Sequence, residues 1–211
     1  MTQNFIITKI KENADTFHAN GIDALWLGGS FATGRNHSQS DLDLHFVINQ
    51  NFKQQQKNTI RELLTNTFGR SLDIVSQHNG HKWIYWWLMN WGVKVISNQP
   101  NPITPKGSQI VQILKDNADY FTSQNLLSMY LCGSFALGTE HQNSDIDINT
   151  ITNEHFTAQN MININKRFEQ ILPARADWYT NHNSPEHFYP PLLKYGIKTL
   201  NPPTLPISKH D

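Results

Sequence analysis

A glycine–serine pair and three aspartates in the first half of this 211-residue chain have the types and spacing that could do chemistry. Gly29 and Ser30 end a short apolar run, and Asp41 and Asp43 follow about ten residues later at the start of another run. Residues i and i+2 of a strand share a face, so Asp41 and Asp43 are predicted to point in the same direction. Asp73 lies in a third strand-like run and could complete a cluster of carboxylates.

These residue types are suited to hold a phosphorylated ligand together with a divalent cation. Glycine lets the backbone approach a ligand closely, and the start of a helix beside a small hydroxyl group is a favourable place for phosphate. Two carboxylates on one face repel each other unless a cation lies between them, and Mg²⁺ prefers a few carboxylates together with phosphate oxygens. The spacing therefore predicts a metal–nucleotide site that could support phosphoryl or nucleotidyl transfer with two metal ions.

The same set of residues occurs a second time, 104 residues further along the chain. The stretch GGSFATGRNHSQSDLDLHFVI in the first half corresponds to CGSFALGTEHQNSDIDINTI in the second half. The matched residues of the second copy are Gly133, Ser134, Asp145, Asp147 and Asp177. Because further identities occur at the same offset along both halves, the pattern indicates a tandem duplication.

Each half contains the elements that such a site needs, and the predicted fold class is α/β. In the first half the hydrophobic pattern predicts a helix (2–19), a strand (22–27), a short helix after Ser30, a strand (40–48), a helix (51–68), a strand (71–75), a helix (81–91) and a strand (93–96). The sequence His78-Asn79-Gly80 is typical of a turn. Each half is therefore expected to form a small mixed β-sheet with helices packed mainly on one face.

Structure-breaking residues mark the predicted domain boundaries. Proline, glycine and asparagine are dense between Asn98 and Gly107, which indicates a linker over 98–107. The predicted domains are 1–97 and 108–200, followed by a Pro-rich tail over 201–211.

Composition narrows the classes of protein that remain. The formal net charge is zero, so the chain has no strong signature of nucleic-acid binding. The single cysteine, Cys132, excludes an intramolecular disulfide and favours a reducing compartment. The first residues lack the features of a signal peptide, and no apolar run is long enough to span a bilayer, so we expect no membrane partner and a cytoplasmic location.

The Gly-Ser-Phe-Ala-x-Gly stretch, the Ser-Asp-x-Asp motif and the later strand aspartate resemble the DNA polymerase β-type nucleotidyltransferase superfamily. The minimal nucleotidyltransferase domain is the form that they are most similar to, and the resemblance covers essentially the whole chain, once in each half. It implies two tandem nucleotidyltransferase-like domains. The chain departs from a pattern common in minimal members, which have arginine before the second glycine, where this chain has Thr33 and Leu137.

The resemblance implies an enzyme that transfers a nucleoside monophosphate, AMP from ATP, to a hydroxyl group of a small molecule or protein and releases pyrophosphate. Two Mg²⁺ ions are expected in each site, with Mn²⁺ as the alternative metal. The implied metal ligands are Asp41, Asp43, Asp73, Asp145, Asp147 and Asp177. The implied nucleotide-binding residues are Gly29, Ser30, Gly133 and Ser134. Asp73 and Asp177 are also the implied catalytic residues, because in the family the third aspartate helps to activate the acceptor hydroxyl.

Other functions and arrangements remain open. Minimal nucleotidyltransferases also occur as antitoxin partners of small helical toxins, so the chain could be an antitoxin-like or regulatory binding protein with a catalytically silent fold. Trp83, Trp86, Trp87 and Trp91 share a helical face that could pack in a core or against the other half, or bind a base or a partner. Two equal modules also leave open a pseudo-dimeric monomer.

Among the charged or titratable side chains near the motifs, His45, Arg70 and Arg175 occur in one half alone, as does Arg35, which Thr139 replaces. The first three have Asn149, Ala174 and Ser71 as their counterparts in the other half. We expect His45 to be a surface or edge residue, with a substrate contact as the alternative. The arginines are expected to be solvated, with neutralisation of phosphate charge as the alternative.

Overall fold

Short strands alternate with helices along the chain, and the computed structural model describes them over residues 1–76, 82–97, 101–183 and 189–201. The chain divides into two units, Met1–Asn98 and Gln99–Asp211. The turn predicted at His78-Asn79-Gly80, residues 98–100 of the predicted linker and the tail beyond residue 201 lie outside the described residues. Within the described ranges, no helix is long and apolar enough to cross a membrane.

The two units repeat one order of elements. The first unit contains α1 (Gln3–Glu12), α2 (Ala14–Ala19), β1 (Ile22–Leu27), α3 (Gly29–Thr33), β2 (Leu42–Ile48), α4 (Gln54–Phe68), β3 (Leu72–Ser76), α5 (Lys82–Trp91) and β4 (Val93–Ser97). The second contains α6 (Pro105–Asp116), α7 (Ala118–Ser123), β5 (Leu126–Leu131), α8 (Gly133–Leu137), β6 (Ile146–Thr152), α9 (Ala158–Ile171), β7 (Ala176–Thr180), α10 (Tyr189–Tyr195) and β8 (Ile197–Leu200).

In the part of the chain that the structure describes, each unit forms one four-stranded sheet. The strand orders are β3-β2-β1-β4 and β7-β6-β5-β8. β1 runs antiparallel to β2 and β4, whereas β2 and β3 run parallel, with Asp43 opposite Asp73. The second sheet has the same pairing, with Asp147 opposite Asp177. The predicted mixed sheets in two tandem domains are therefore confirmed.

One face of each sheet packs on helices to form the core. Alternate residues of the strands meet the apolar stripes of α1, α2 and α4 in the first unit, and those of α6, α7 and α9 in the second. The buried residues that these six helices contribute are Ile6, Ile10, Phe17, Ile60, Leu64, Ile110, Leu114, Phe121, Ile164 and Phe168. Because β-strand side chains alternate between faces, Asp43 and Asp73 lie on the opposite face from this core.

The prediction of one continuous helix over residues 2–19 is wrong, because Asn13 separates α1 from α2. Its backbone has φ −107° and ψ 15°, and its side-chain amide donates to the carbonyl oxygen of Lys9 at 2.9 Å. Asn117 separates α6 from α7 in the same way, donating to the carbonyl oxygen of Ile113 at 2.8 Å. A side-chain amide that satisfies a backbone carbonyl competes with continuation of the helix.

Phe31 lies on α3, directly after the Gly-Ser turn, and is fully buried in the first core. We expect Phe31→Ala to lower the free energy of unfolding of the first unit by about 3–5 kcal/mol, because it leaves a cavity in a packed core. Phe5→Ala is the matched control, since Phe5 is 44% exposed and packs edge-on against Phe68. It should cost about 0.5–1.5 kcal/mol. Hydrogen exchange of the β1 and β2 amides measures both effects, and equal losses would contradict the assignment of Phe31 to the core.

Candidate functional site

The Gly-Ser turn of the first unit leads from β1 into α3, whose first two residues are Gly29 and Ser30, and it lies directly against β2. The backbone N–H of Gly28 donates to the carbonyl oxygen of Asp43 at 2.9 Å, which fixes the turn beside that carboxylate. Gly29 has φ 55°, and a Cβ atom at this position would lie 1.8 Å from Oδ2 of Asp43. Glycine is required here for both its backbone conformation and its lack of a side chain.

The second unit has the same local geometry. Cys132 donates its N–H to the carbonyl oxygen of Asp147 at 2.8 Å. Gly133 has φ 58°, and a Cβ atom there would lie 1.8 Å from Oδ2 of Asp147. The close approach of glycine to the second aspartate of the motif is therefore a property of both copies.

The carboxylates of the first unit lie close enough to influence one another. Burial, together with the negative charges of Asp41 and Asp73, raises the pKa of Asp43 to about 6. Asp73 faces Asp43 on the neighbouring parallel strand. Such a group gains from a cation that offsets the repulsion.

The predicted strand over 40–48 begins two residues later in the structure, so Asp41 precedes β2 instead of lying within it. β2 begins at Leu42, whose N–H donates to the carbonyl oxygen of Ser71 at 2.9 Å. Ser40 belongs to the preceding turn, where its Oγ accepts a hydrogen bond from the N–H of His37 at 2.9 Å. That turn ends the irregular segment before the parallel ladder begins.

The carboxylates of the second unit differ from those of the first in one contact. Burial raises the pKa of Asp147, and the negative charges of Asp177 and Asp145 add to the effect. Nη2 of Arg175 lies 2.9 Å from Oδ1 of Asp177. The Arg175 side chain is 76% exposed, so this ion pair contributes little to stability, but it offsets one of the three negative charges.

A cavity of about 200 Å³ opens beside the carboxylates of the first unit. Gly29, Asp43 and Asp73 form part of its polar lining, and Trp87 and Leu88 of α5 form part of its apolar wall. Trp87 is half-buried and contacts Trp91 with the ring centroids 6.1 Å apart. The side chains of Trp83 and Trp86 lie outside the described part of the structure.

His45 also lines this cavity, and its burial contradicts the expectation of a surface or edge residue. The residue is 3% exposed and lies on β2, an interior strand of the sheet. Its ring packs edge-on against Tyr85 at a centroid distance of 5.6 Å, and burial lowers the pKa of His45 to about 4. Neither ring nitrogen has a hydrogen-bond partner among the residues that the structure describes.

The cavity of the second unit is larger, about 380 Å³, and has a different wall. Gly133 and Asp147 line it, as their counterparts line the first cavity. Asn149 occupies the position that matches His45, and Tyr179 and Tyr195 contribute aromatic surface. The two clefts thus share one scaffold beside the aspartates and differ in the groups that surround it.

Some predicted site residues meet in these cavities and others do not. Gly29, Asp43 and Asp73 line the first cavity, and Gly133 and Asp147 line the second. The predicted residues outside the two linings are Ser30, Asp41, Ser134, Asp145 and Asp177. Oγ of Ser30 is buried and has no hydrogen-bond partner within the described ranges. Over the same ranges, no group of three or more His, Cys, Asp or Glu residues could hold a metal ion as it stands.

Arg70 positions the segment before Asp41, a role that the sequence analysis missed. Its Nη1 donates to the carbonyl oxygens of Ser38 and Ser40 at 3.0 and 2.7 Å, and its guanidinium lies 5.6 Å from the ring centre of Phe31. Arg70 is therefore half-buried and bound to the backbone rather than fully solvated. Arg70 lies directly before β3 in the sequence, and β3 runs beside β2. That position could have indicated a contact with the segment that leads into β2.

Comparison with known families gives two matches. The family described as polymerase beta, nucleotidyltransferase matches residues 8–101 and again residues 109–198. The two matches correspond to the two halves and together span most of the chain. No curated protein is similar enough in sequence to match the chain.

Several solved toxin–antitoxin structures are similar to parts of the chain. A mutant of the MntA–HpeT toxin–antitoxin complex is 20% identical, covers 45% of this chain and 73% of its own, and has a TM-score of 0.35. A toxin–antitoxin structure with AMP-PNP is 14% identical over 58% of this chain and 97% of its own, with a TM-score of 0.36. A tri-AMPylated HEPN toxin in complex with MNT antitoxin from Shewanella oneidensis is 17% identical over 46% and 70%, with a TM-score of 0.31. At these scores the likeness supports no inference about function.

The contact between Gly29 and Asp43 can be tested by adding a single methyl group. Gly34→Ala is the matched control, because Gly34 also has a positive φ, 72°, but a Cβ there would meet nothing within 4 Å. We expect Gly34→Ala to cost about 1–2 kcal/mol of stability from backbone strain alone. Gly29→Ala should cost about 1–3 kcal/mol more, because the Asp43 carboxylate must move. Hydrogen exchange of the first unit measures both, and equal costs would show that the close contact is absent.

The raised pKa of Asp43 predicts a pH dependence of stability. Between the ordinary value of 3.8 and about 6, the folded first unit binds this proton more readily than the unfolded chain does. Its stability should therefore rise as the pH falls through that range, and the penalty of the buried charge is complete above it. We expect Asp43→Asn to remove this dependence and to raise the stability of the first unit at pH 7.

Hydrogen exchange at pH 4.5 and pH 7 measures this effect, with Asp15→Asn as the control, because Asp15 is an exposed aspartate of the same unit. If Asp43→Asn instead lowered the stability equally at both pH values, the Asp43 carboxylate would be stabilising and the assignment would fail.

Proposed function

Because this chain belongs to the polymerase beta nucleotidyltransferase family, we propose that it is a divalent-metal-dependent nucleotidyltransferase. It would transfer AMP from ATP to a hydroxyl group of a small molecule or protein and release pyrophosphate. The observation that carries the proposal is the pair of in-register aspartates beside a glycine turn, Asp43 and Asp73, which recurs as Asp147 and Asp177. A scaffold without a cationic or phosphorylated ligand gains nothing from like charges gathered in a cleft.

Pairs of the carboxylates present fit a hard divalent cation, although no three of the described residues converge on one as they stand. Mg²⁺ binds through one or two carboxylates together with phosphate oxygens of the substrate, and Asp43 and Asp73 offer oxygen donors on one face of the sheet. Asp41 lies close enough to raise the pKa of Asp43 and is the third proposed ligand. The corresponding set in the second unit is Asp145, Asp147 and Asp177. A bound cation would neutralise the charge that gathers on the phosphate oxygens.

The Gly-Ser turn is the proposed binding site for the phosphates. The backbone at Gly29 approaches the Asp43 carboxylate without an intervening side chain. Oγ of Ser30 is buried and lacks a partner among the described residues, so it can donate a hydrogen bond to a phosphate oxygen. Gly133 and Ser134 are the matching residues of the second unit. These contacts would hold the triphosphate beside the carboxylates.

Asp73 is proposed to orient the acceptor. Its carboxylate accepts a hydrogen bond from the acceptor hydroxyl and takes up the proton as the hydroxyl oxygen bonds to the α-phosphorus. The bond from the α-phosphorus to the bridging oxygen breaks, and pyrophosphate leaves. Most of the rate enhancement comes from positioning and charge neutralisation. Asp177 is the equivalent residue in the second unit, where Arg175 must leave it to allow the same role.

Calorimetric titration with a non-hydrolysable ATP analogue, with and without Mg²⁺, tests the proposal. We expect two Mg²⁺-dependent binding events in the wild-type chain. Asp41→Asn/Asp43→Asn should remove one, and Asp145→Asn/Asp147→Asn should remove the other, because each pair loses its negative charges. The matched control is Asp15→Asn/Asp119→Asn, an exposed pair of aspartates at the same 104-residue offset, which should leave both events unchanged.

A single event would identify the unit that binds nucleotide. Binding that does not depend on Mg²⁺ in any form would contradict the enzymatic proposal. That result would favour the antitoxin-like or regulatory binding protein that the sequence also leaves open.

A further inference from the structure

His45 lies at a defined place on the face of the sheet that carries the aspartates. It follows Asp43 by two residues on β2, so both side chains lie on the same face, roughly 7 Å apart along the strand. Its neighbours across the strands are Trp26 on β1 and Val75 on β3. His45 is buried, whereas Asp43 is half-buried and Asp73 is exposed, so the imidazole lies deeper in the cleft than these carboxylates.

The unsatisfied hydrogen-bonding capacity of His45 indicates a ligand. The residue is 97% buried, lines the first cavity and packs edge-on against Tyr85, yet both ring nitrogens lack partners in the described part of the unit. A buried polar group without a partner destabilises a fold, and such groups in native structures call for a specific explanation. A ligand that enters the cavity would supply the missing hydrogen bond.

The size and walls of the cavity limit the kind of group that enters. Its volume of about 200 Å³ is below the ~300–1,000 Å³ of pockets that enclose a whole small molecule. Val75, Trp87 and Leu88 give it apolar and aromatic surface, and Gly29 and Asp43 give it a polar mouth. A flat ring with a hydrogen-bonding edge suits this combination, because aromatic surface stacks on the ring while a polar group contacts its edge.

We propose that His45 is a specificity-determining residue of the first cleft and hydrogen-bonds the nucleobase of the bound nucleoside triphosphate. The inference rests on the proposed function, which places the phosphates at the Gly-Ser turn. A base joined to those phosphates through one ribose reaches inward from the carboxylates, in the direction of His45. The neutral imidazole can donate from one nitrogen and accept at the other, so it distinguishes bases by the pattern on their edges.

The proposal also predicts that the clefts of the two halves differ in base preference. Asn149 replaces His45 at the matching position, and Tyr179 replaces Val75 beside it. The asparagine side chain is shorter than histidine, so its amide donor and acceptor lie closer to the backbone and point in other directions than the two imidazole nitrogens. The two clefts are therefore expected to rank the bases differently while sharing the same phosphate contacts.

The experiment uses the full chain with Asp145→Asn/Asp147→Asn, so that the first unit alone reports. Affinities are measured in Mg²⁺ for non-hydrolysable analogues of ATP, GTP, CTP and UTP, with tripolyphosphate as the probe that lacks a base. The variants are His45→Phe, a ring of similar size without hydrogen-bonding groups, and His45→Asn, the residue type of the second unit. Thermal unfolding of each variant is followed in parallel.

We expect His45→Phe to weaken binding of the preferred nucleotide by about tenfold, the loss of one hydrogen bond, and to reduce the differences among bases. His45→Asn should change the order of preference. Tripolyphosphate affinity should stay the same in all three chains. The melting temperature of His45→Phe should not fall, because the substitution removes two unpaired buried nitrogens.

Three outcomes would overturn the proposal. Unchanged base preference in both variants would show that His45 does not contact the base, even though nucleotide binding persists. An equal loss for tripolyphosphate would show that His45 acts on the carboxylate end of the cleft instead. If no chain binds tripolyphosphate or any nucleotide, the proposed function itself fails for this unit, and the assignment of His45 fails with it.

Discussion

The architecture of each unit depends on holding like charges together on one face of a sheet. Parallel pairing of β2 with β3 places Asp43 directly opposite Asp73, and the hydrogen bond from Gly28 brings the preceding turn against the same carboxylate. This arrangement opposes stability, because burial and repulsion both raise the pKa of Asp43. The opposite face of the sheet compensates with a closed apolar core. Because strand side chains alternate between faces, one face of the sheet stabilises the unit through its apolar core while the other carries the charged cleft.

The duplicated units show which features that arrangement requires and which can vary. Glycine contacts Asp43 and Asp147 in the same way in the two units. The backbone hydrogen bonds that fix these contacts, from Gly28 to Asp43 and from Cys132 to Asp147, are 2.9 and 2.8 Å long. The walls of the clefts are not equivalent, since His45 faces one cavity and Asn149 the other. A common scaffold with different walls is how one fold supports different ligand preferences.

Much of this could be predicted from the sequence, because the repeat and the alternation of apolar residues are local patterns. They located the strands of both sheets, the glycine turns and the aspartates, but not the register that sets Asp43 opposite Asp73 and Asp147 opposite Asp177. Contacts between residues distant in sequence could not be derived in the same way. The burial of His45 depends on how α5 covers the sheet, and the hydrogen bonds of Arg70 depend on the path of the loop before β2. The break at Asn13 was local, but it depends on a side-chain hydrogen bond that competes with an otherwise helical pattern.

The ion pair between Arg175 and Asp177 has a consequence for the order in which ligands arrive. Among the described residues, the three carboxylates of the first cleft have no ion-pair partner, so an incoming polyphosphate is repelled until a cation has bound. In the second cleft, an exposed guanidinium offsets part of the negative field and offers the polyphosphate a point of first contact. In the first unit, binding of the cation before the polyphosphate is therefore kinetically favoured, whereas in the second unit either ligand can bind first. This difference between the units diminishes as salt screens the electrostatic field.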